Sequence, residues 1–477
     1  MPLVTPTEPV PLGELGRVHF AGIGGAGMSG IARIMLARGT GVSGSDSAAS
    51  GVLEDLAGLG AKIHVGHGAD NLGDADTLVV SSAIRADNPE LVEARRRGLR
   101  VLHRSGALAA LMFDRRVIAV SGTHGKTSTT SMIATVLLET GADPGYVIGG
   151  VLASSGTGAA DGRGPDFVAE ADESDGSFLN YAPDVAVVTN VEVDHLDNYG
   201  TAEAYREYFR KFAGRVKPDG LVVACADDQG ARELAAHARA LGRRVRTYGE
   251  SPDADYRVTD IAGRGMETSF TVTAAPGDAR TRVSVGVPGR HNALNAAAAF
   301  VAVVELGTAP PVAATALARY HGAARRMEPK GEAAGVRVLD SYAHHPTEIA
   351  TDLRAARELA ANDGDAGSAG TVPGRVIAVF QPHLYSRTRI FAADFGAALG
   401  LADAAVVLDV YAAREDPEPG VTGALVADAA PNARYVPVWG DVPGAVKSIA
   451  AAGDVVLTMG AGDVTRLGPL ILAELAR

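Results

Sequence analysis

Val117-Ile118-Ala119-Val120-Ser121-Gly122-Thr123-His124-Gly125-Lys126-Thr127 is the stretch on which the fold turns. A short apolar run, enough for one buried strand, enters a glycine-bounded turn. From Lys126 onward Met132, Ile133, Val136 and Leu137 recur at helical spacing until Gly141. Strand, tight turn and helix in that order make one unit of a parallel α/β sheet. The turn also carries chemistry. Backbone N–H groups of Gly122, Thr123, His124 and Gly125 can surround phosphate oxygens, Lys126 can neutralise the terminal phosphate, and the Thr127 hydroxyl, beside Ser128, can reach Mg²⁺. Val120 stands where the usual phosphate loop has its first glycine, so this loop is a shortened form. The competing reading is a Gly-Lys-Thr helix cap without a ligand.

Working outward, the same cycle precedes and follows this unit. Arg17–Ile23 leads into Gly22-Ile23-Gly24-Gly25-Ala26-Gly27, with a helix expected over Met28–Leu36, and Asp46 lies 24 residues beyond Gly22. A glycine loop between strand and helix, with an acid at that distance, suits a diphosphate and a ribose hydroxyl. Taken alone it fits any nucleotide, including a nicotinamide cofactor, or a tight turn with no ligand. Further strands are expected at Thr77–Val80 and Leu99–Leu102, then at Asp166–Glu170, Asp184–Thr189 and Leu221–Ala224. Glu170, Asp172 and Glu173 follow one of them; Asn190, Asp194, His195 and Asp197 follow the next. At strand ends carboxylate and imidazole groups could hold one or two Mg²⁺ ions, although a solvated acidic edge gives the same pattern. Residues 255–287 alternate polar with apolar, as in a small antiparallel segment, and His291–Leu306 reads as an alanine-rich helix. A third cycle has strands at Val336–Leu339, Arg375–Phe380, Ala405–Leu408 and Val455–Thr458. Ser154–Pro165 and Asn362–Gly374 read as loops with little packing, the latter of high mobility.

The composition bounds the rest. A chain of 477 residues exceeds one core and suggests about three domains. With 47% hydrophobic and 21% charged residues it is globular, and its formal charge of −12 argues against general attraction to nucleic acid or an anionic membrane. Cys225 is the single cysteine, which excludes an intrachain disulfide and suits a cytoplasmic setting. No apolar run approaches the roughly 20 residues that span a bilayer, so neither export nor membrane insertion is expected.

The ordered motifs resemble the Mur ligase family, within it the type that joins L-alanine to UDP-N-acetylmuramate. The likeness rests on Gly22–Ala32, Gly122–Thr127, Glu170–Phe178, Asn190–Tyr199, His291–Ala296, Arg325–Glu328, Asp340–Glu348, Phe380–Arg389, Asp409–Ala413 and Gly460-Ala461-Gly462. It implies a Rossmann-like UDP-binding domain (1–113), a central P-loop ATPase-like α/β domain (114–321) and a Rossmann-like C-terminal domain (322–477) that completes the ATP and amino-acid sites. It also implies ATP and Mg²⁺ as cofactors, with Thr127, Glu173 and His195 on the metal and Lys126 on phosphate. Asn292 and Asn295 match positions near the adenine, and Arg326 and Asp340 match groups that reach the nucleotide. His344, His345, His383 and Arg387 match the side that handles the amino acid and an acyl phosphate; any of the three histidines could take the amine's proton. The UDP group falls to Gly24, Gly25, Ala26, Gly27, Asp46 and His67. A monomer or weak homodimer is expected.

Three departures stand out. Leu384 occupies a place often held by arginine, and Ser341 and Ala343 replace Asp and Gly in an Asp-Asp-Tyr-Gly-His-His segment. Counting from His195 to the position where sister ligases carry a carbamylated lysine reaches Phe209, so no carbamylated lysine is expected. Three competing functions remain: a nucleotide-linked oxidoreductase resting on the Gly22 loop, a P-loop ATPase that moves a partner, and a ligase that recycles a peptide onto the same UDP-sugar.

Overall fold

A computed structural model describes residues 3–275, 277, 279–362, 373–413 and 415–477. Most of the stretch expected to be mobile, 363–372, lies outside these residues, as does the side chain of Asp197. Among the described residues the chain builds three sheets. The first has the order β3-β2-β1-β4-β5, formed by β1 (Val18–Ala21), β2 (Val42–Asp46), β3 (Lys62–Val65), β4 (Thr77–Val80) and β5 (Arg100–His103), all parallel. This is a doubly wound half-sheet, whose ligand crevice lies at the carboxyl ends of its strands. Gly22, with φ +78°, turns the chain from β1, and the following helix Ala26–Ala37 buries Met28, Ile31, Ala32, Ile34 and Met35.

The second sheet has ten strands in the order β15-β14-β13-β12-β11-β10-β6-β9-β7-β8. These are β6 (Arg116–Ser121), β7 (Gly145–Leu152), β8 (Thr157–Ala160), β9 (Asp166–Glu170), β10 (Val185–Val188), β11 (Leu221–Cys225), β12 (Arg244–Gly249), β13 (Tyr256–Arg264), β14 (Glu267–Ala274) and β15 (Ala279–Val285). The alternation over 255–287 corresponds to β13–β15, with Phe270, Val272, Val283 and Val285 buried. The expectation of a poorly packed loop over Ser154–Pro165 is corrected here: Thr157–Ala160 is a strand paired antiparallel with β7. It went unseen because Thr-Gly-Ala-Ala has no apolar alternation; its order comes from tertiary contacts. A Cβ on Gly30 would sit 2.9 Å from that of Ala159, so glycine lets the Ala26–Ala37 helix lie against this strand. The Arg38 guanidinium clasps Asp161 at 2.6 Å and donates to the Leu111 carbonyl at 2.8 Å.

The third sheet, in the order β16-β17-β21-β18-β19-β20, comprises β16 (Glu328–Ala333), β17 (Val336–Ser341), β18 (Val376–Phe380), β19 (Ala404–Val407), β20 (Ala433–Tyr435) and β21 (Val455–Met459). Its interior strands β18 and β19 are apolar throughout because helices cover both faces. Along β18, Val376, Ala378 and Phe380 join one core with Leu353 and Phe395, while Ile377 and Val379 join another with Leu467 and Ile471. By contact density the chain forms two compact units. One holds Met1–Thr259, Thr271–Val283 and Leu294–Arg319; the other holds Asp260–Phe270, Ser284–Ala293 and Tyr320–Arg477. Among the described residues no helix is long and apolar enough to cross a membrane.

Candidate active site

In the first unit β6 delivers the phosphate loop to the carboxyl edge of its sheet. Gly122 and Gly125 take φ values of +130° and +84°, which a side chain would strain, and Lys126 opens a helix running to Glu139. The loop is braced by the end of β10. His124 N–H donates to Asn190 Oδ1 at 2.9 Å, and Thr189 Oγ1 and Asn190 Nδ2 donate to the His124 carbonyl at 2.6 and 3.0 Å. Asn295 abuts the loop directly, since a Cβ on Gly125 would meet its Oδ1 at 2.5 Å. Thr123, Thr127 and Ser128 are buried.

Lys126 points across the loop mouth. Its Nζ donates to the Gly122 and Thr123 carbonyls at 2.7 and 3.1 Å and to Glu173 Oε1 at 2.9 Å. Glu173 follows β9 and is wholly excluded from solvent. Burial pushes its carboxyl up to about 7, although the neighbouring ammonium pulls the other way. Burial also opposes the charge on Lys126, but the carboxylates of Glu173 and Asp172 outweigh it and raise the ammonium's pKa. Glu173 Oε2 is buried with no hydrogen-bond partner. An orphaned carboxylate oxygen on the residue that Lys126 grips offers the kind of hard oxygen donor that Mg²⁺ prefers. His195 takes φ +53° beside Asp194, its Nε2 3.5 Å from Asp194 Oδ2. Its segment is tied to Glu173: the Tyr199 hydroxyl donates to the Glu173 carbonyl and Asn198 Nδ2 donates to Ser174 O at 2.9 Å.

The glycine loop of the first sheet lies in the same unit. Asp46 Oδ2 accepts from Gly24 N–H at 2.9 Å, so this carboxylate rests on the loop itself. Gly25 caps the helix that Ala26 begins, and a Cβ on Gly27 would lie 3.4 Å from the Arg104 guanidinium. Arg104 donates to Asp172 at 2.6 Å and thus links the two carboxyl edges. His67 lies beyond β3, with its Nδ1 2.9 Å from Ser45 Oγ.

In the second unit Asp340, at the end of β17, is fully buried and takes Arg325 Nε at 3.2 Å on one oxygen and Thr458 Oγ1 at 2.6 Å on the other. Both Arg325 and Arg326 lie over the Tyr342 ring, about 5 Å from its centroid. Ser341 donates to Asp352, whose carboxyl burial pushes up to about 6. The serine in place of aspartate therefore does not set a second charge beside Asp352. Ala343 is buried. His344 packs edge-on against Tyr342 and against His383, their ring centroids 5.4 and 6.2 Å apart. Burial drives its imidazole down to about 3, with Arg387 adding to the effect. His383 stacks on Tyr411, and His345 meets the Phe391 edge. Leu384 caps the helix Tyr385–Leu399 with φ +69°. Asn292 Nδ2 donates to Pro288 O at 2.8 Å.

Sequence reasoning missed Arg104, Arg325, Asp352 and Glu90. Arg325 sat inside a recognised motif and could have been found there; the others carry no local signal.

Profiles of known families match nearly the whole chain. The Mur ligase family catalytic domain matches residues 17–116, the Mur ligase middle domain 120–303, and the Mur ligase glutamate ligase domain 325–462. The chain belongs to the Mur ligase family. It is 58% identical, over all of both chains, to a UDP-N-acetylmuramate–L-alanine ligase of Thermobifida fusca. It is 57% identical to one of Kineococcus radiotolerans over 97% of each chain. Among solved structures, the UDP-N-acetylmuramate-alanine ligase of Thermotoga maritima is 30% identical with a TM-score of 0.78, covering 96% of this chain and 98% of that one. A murein peptide ligase of Psychrobacter arcticus shares the fold at 24% identity and a TM-score of 0.70, covering 97% and 99%. The three-domain α/β architecture of Mur ligases is thus the fold of this chain.

Proposed function

We propose that this Mur ligase joins L-alanine to the carboxylate of UDP-N-acetylmuramate with conversion of ATP to ADP, a step in making peptidoglycan precursor. The observation that carries the chemistry is Lys126 held 2.9 Å from the buried Glu173 carboxylate in a phosphate loop braced by Thr189 and Asn190. The full-length identity to alanine ligases favours this substrate over the peptide-recycling reaction. An oxidoreductase would leave Lys126 and Glu173 without a task.

A carboxylate does not yield to an amine directly, because oxide is an unacceptable leaving group. Attack of the carboxylate oxygen on the γ-phosphorus forms a C–O–P bond and releases ADP; the neutral amine then adds to the acyl carbon and inorganic phosphate leaves. Lys126 stabilises charge on the transferring oxygens, an effect of several kcal/mol where water is excluded. Thr127, Glu173 and His195 would hold Mg²⁺, which supplies further neutralisation of the phosphate oxygens. Gly122, Thr123, His124, Gly125 and Ser128 cradle phosphate. Asn292, Asn295, Arg326 and Asp340 are assigned to ATP, and Gly24, Gly25, Ala26, Gly27, Asp46 and His67 to the UDP moiety. His344, His345, His383 and Arg387 are assigned to the amino acid and the acyl phosphate. The domains are assigned to 1–113, 114–321 and 322–477, the setting to the cytoplasm, and the assembly to a monomer or weak homodimer.

Phosphate release measured with UDP-N-acetylmuramate and a panel of acceptors tests the reading. Turnover with L-alanine is expected; a chain that accepts the tripeptide and refuses L-alanine is a recycling ligase instead. Label placed in the substrate carboxyl oxygens should appear in orthophosphate, and its absence there removes the acyl phosphate.

A further inference from the structure

The first sheet buries a carboxylate that the reaction above does not use. Glu90, in the first turn of the helix Pro89–Arg96, has no exposure to solvent. It accepts from Ser45 Oγ at 2.7 Å, Asn71 Nδ2 at 2.8 Å and Gly68 N at 3.3 Å; His67 Nδ1 lies 3.4 Å away and His19 Nε2 3.7 Å. Burial disfavours its charge, yet the neighbouring His19 ring and the hydrogen bonds from Asn71 and Ser45 hold it ionised, at about 2. Four residues from four segments, Ser45, His67, Asn71 and His19, converge on a group that catalysis does not need.

Counting protons gives the consequence. The Ser45 hydroxyl has one hydrogen, and the ionised carboxylate at 2.7 Å can only receive it. Ser45 Oγ must then accept at its other contact, His67 Nδ1 at 2.9 Å, so Nδ1 carries the proton. The direct approach of Glu90 to the same nitrogen demands the same. A neutral imidazole has a single N–H, which leaves Nε2 with a bare lone pair. The ring is 24% exposed, and no described residue takes that nitrogen. His67 stands past the carboxyl end of β3. With a diphosphate on the β1 glycine loop, the nucleoside of a doubly wound site extends over β2 toward β3.

We infer that Glu90, acting through Ser45, fixes His67 as the Nδ1–H tautomer and so presents Nε2 as a hydrogen-bond acceptor to a donor on the substrate's nucleoside, the uracil N3–H or a ribose hydroxyl. The inference rests on the UDP-substrate reading above. Glu90 is a positioning residue; His67 makes the contact.

The test uses the full chain labelled with ¹⁵N-histidine, the His67 signal being the one missing from H67F. Ring nitrogen shifts at pH 8 should show Nδ1 protonated in the wild type and a mixed or reversed tautomer in S45A and E90Q. By calorimetry S45A and E90Q should weaken UDP about three- to tenfold, the loss of one hydrogen bond, with ATP binding unchanged as a control on folding. KM for UDP-N-acetylmuramate should rise by the same factor with kcat retained. N3-methyl-UDP binding weakly to wild type and equally to H67F identifies uracil as the donor; 2′-deoxy-UDP doing so identifies the ribose. Protonated Nε2 in the wild type, or unchanged UDP affinity in both variants, overturns the inference. A wild type that binds ATP but not UDP overturns the substrate reading beneath it, and the tautomer measurement tells the two failures apart.

Discussion

Replacing Lys126 with alanine separates catalysis from folding in a way the site makes quantitative. The ammonium's three protons go to Gly122 O, Thr123 O and Glu173 Oε1, so its removal strands a carboxyl with no solvent exposure. An ionised, unpaired buried carboxylate costs about 3–5 kcal/mol. Glu173 avoids that cost by taking a proton, because its folded-state value is already about 7 against an unfolded value of 4.5. A carboxyl raised on folding stabilises the fold below its unfolded value, and that contribution drains away as pH climbs to about 7. Without Lys126 the folded value moves higher still, and the drain continues above pH 7 at up to about 1.4 kcal/mol per pH unit. K126A should therefore melt close to wild type at pH 6 and fall behind by up to about 3 kcal/mol at pH 9, a deficit of several degrees in Tm. Its turnover at either pH should drop about a thousandfold, equivalent to roughly 4 kcal/mol of lost transition-state stabilisation. Thermal melts at pH 6, 7, 8 and 9 beside a phosphate-release assay decide the matter. Normal turnover in a folded variant, or a melting deficit that does not change with pH, refutes the reasoning.

Other substitutions probe other parts. E173Q should shift the Mg²⁺ titration of turnover to higher concentration, and an unchanged titration would remove this ligand. G30V should cost about 1–3 kcal/mol, because any Cβ there meets Ala159 at 2.9 Å; a wild-type Tm would show that the helix and β8 are not in contact. D340N should destabilise the second unit by about 3 kcal/mol by leaving Arg325 without its buried anion, read as earlier proteolysis of 320–477. With His344 pushed down to about 3, H344N should leave the inflections of the kcat profile between pH 5 and 8 where they are; a lost inflection would make this imidazole the titrating base.

What could be read from the chain and what could not divides along one physical line. Val117–Val120, and the Phe167–Ala169 and Val455–Leu457 centres of two further strands, declare themselves because the middle of a parallel strand covered on both faces is a continuous apolar run. Strand β2, Val42-Ser43-Gly44-Ser45-Asp46, has no such signature, although it pairs with β1 along its length. Its middle must be glycine, since a Cβ on Gly44 would lie 2.6 Å from the Ile23 side chain, and its polar residues serve Glu90 and the glycine loop. β3 has no buried residue, so nothing in Lys62–Val65 needed to be apolar in alternation. The phosphate loop was legible because cradle, cation and hydroxyl must be contiguous to meet one phosphate. The groups that tune it are not bound by that requirement. Arg104 reaches Asp172 across 68 residues and Ser45 reaches Glu90 across 45, and each pair is fixed only when separate strands align their carboxyl edges. A contact made by adjacent residues is written into the local pattern; one made between loops at a sheet edge is written only into the topology. The positions most open to discovery in a chain of this kind are therefore polar residues at strand ends whose partners lie one crossover away.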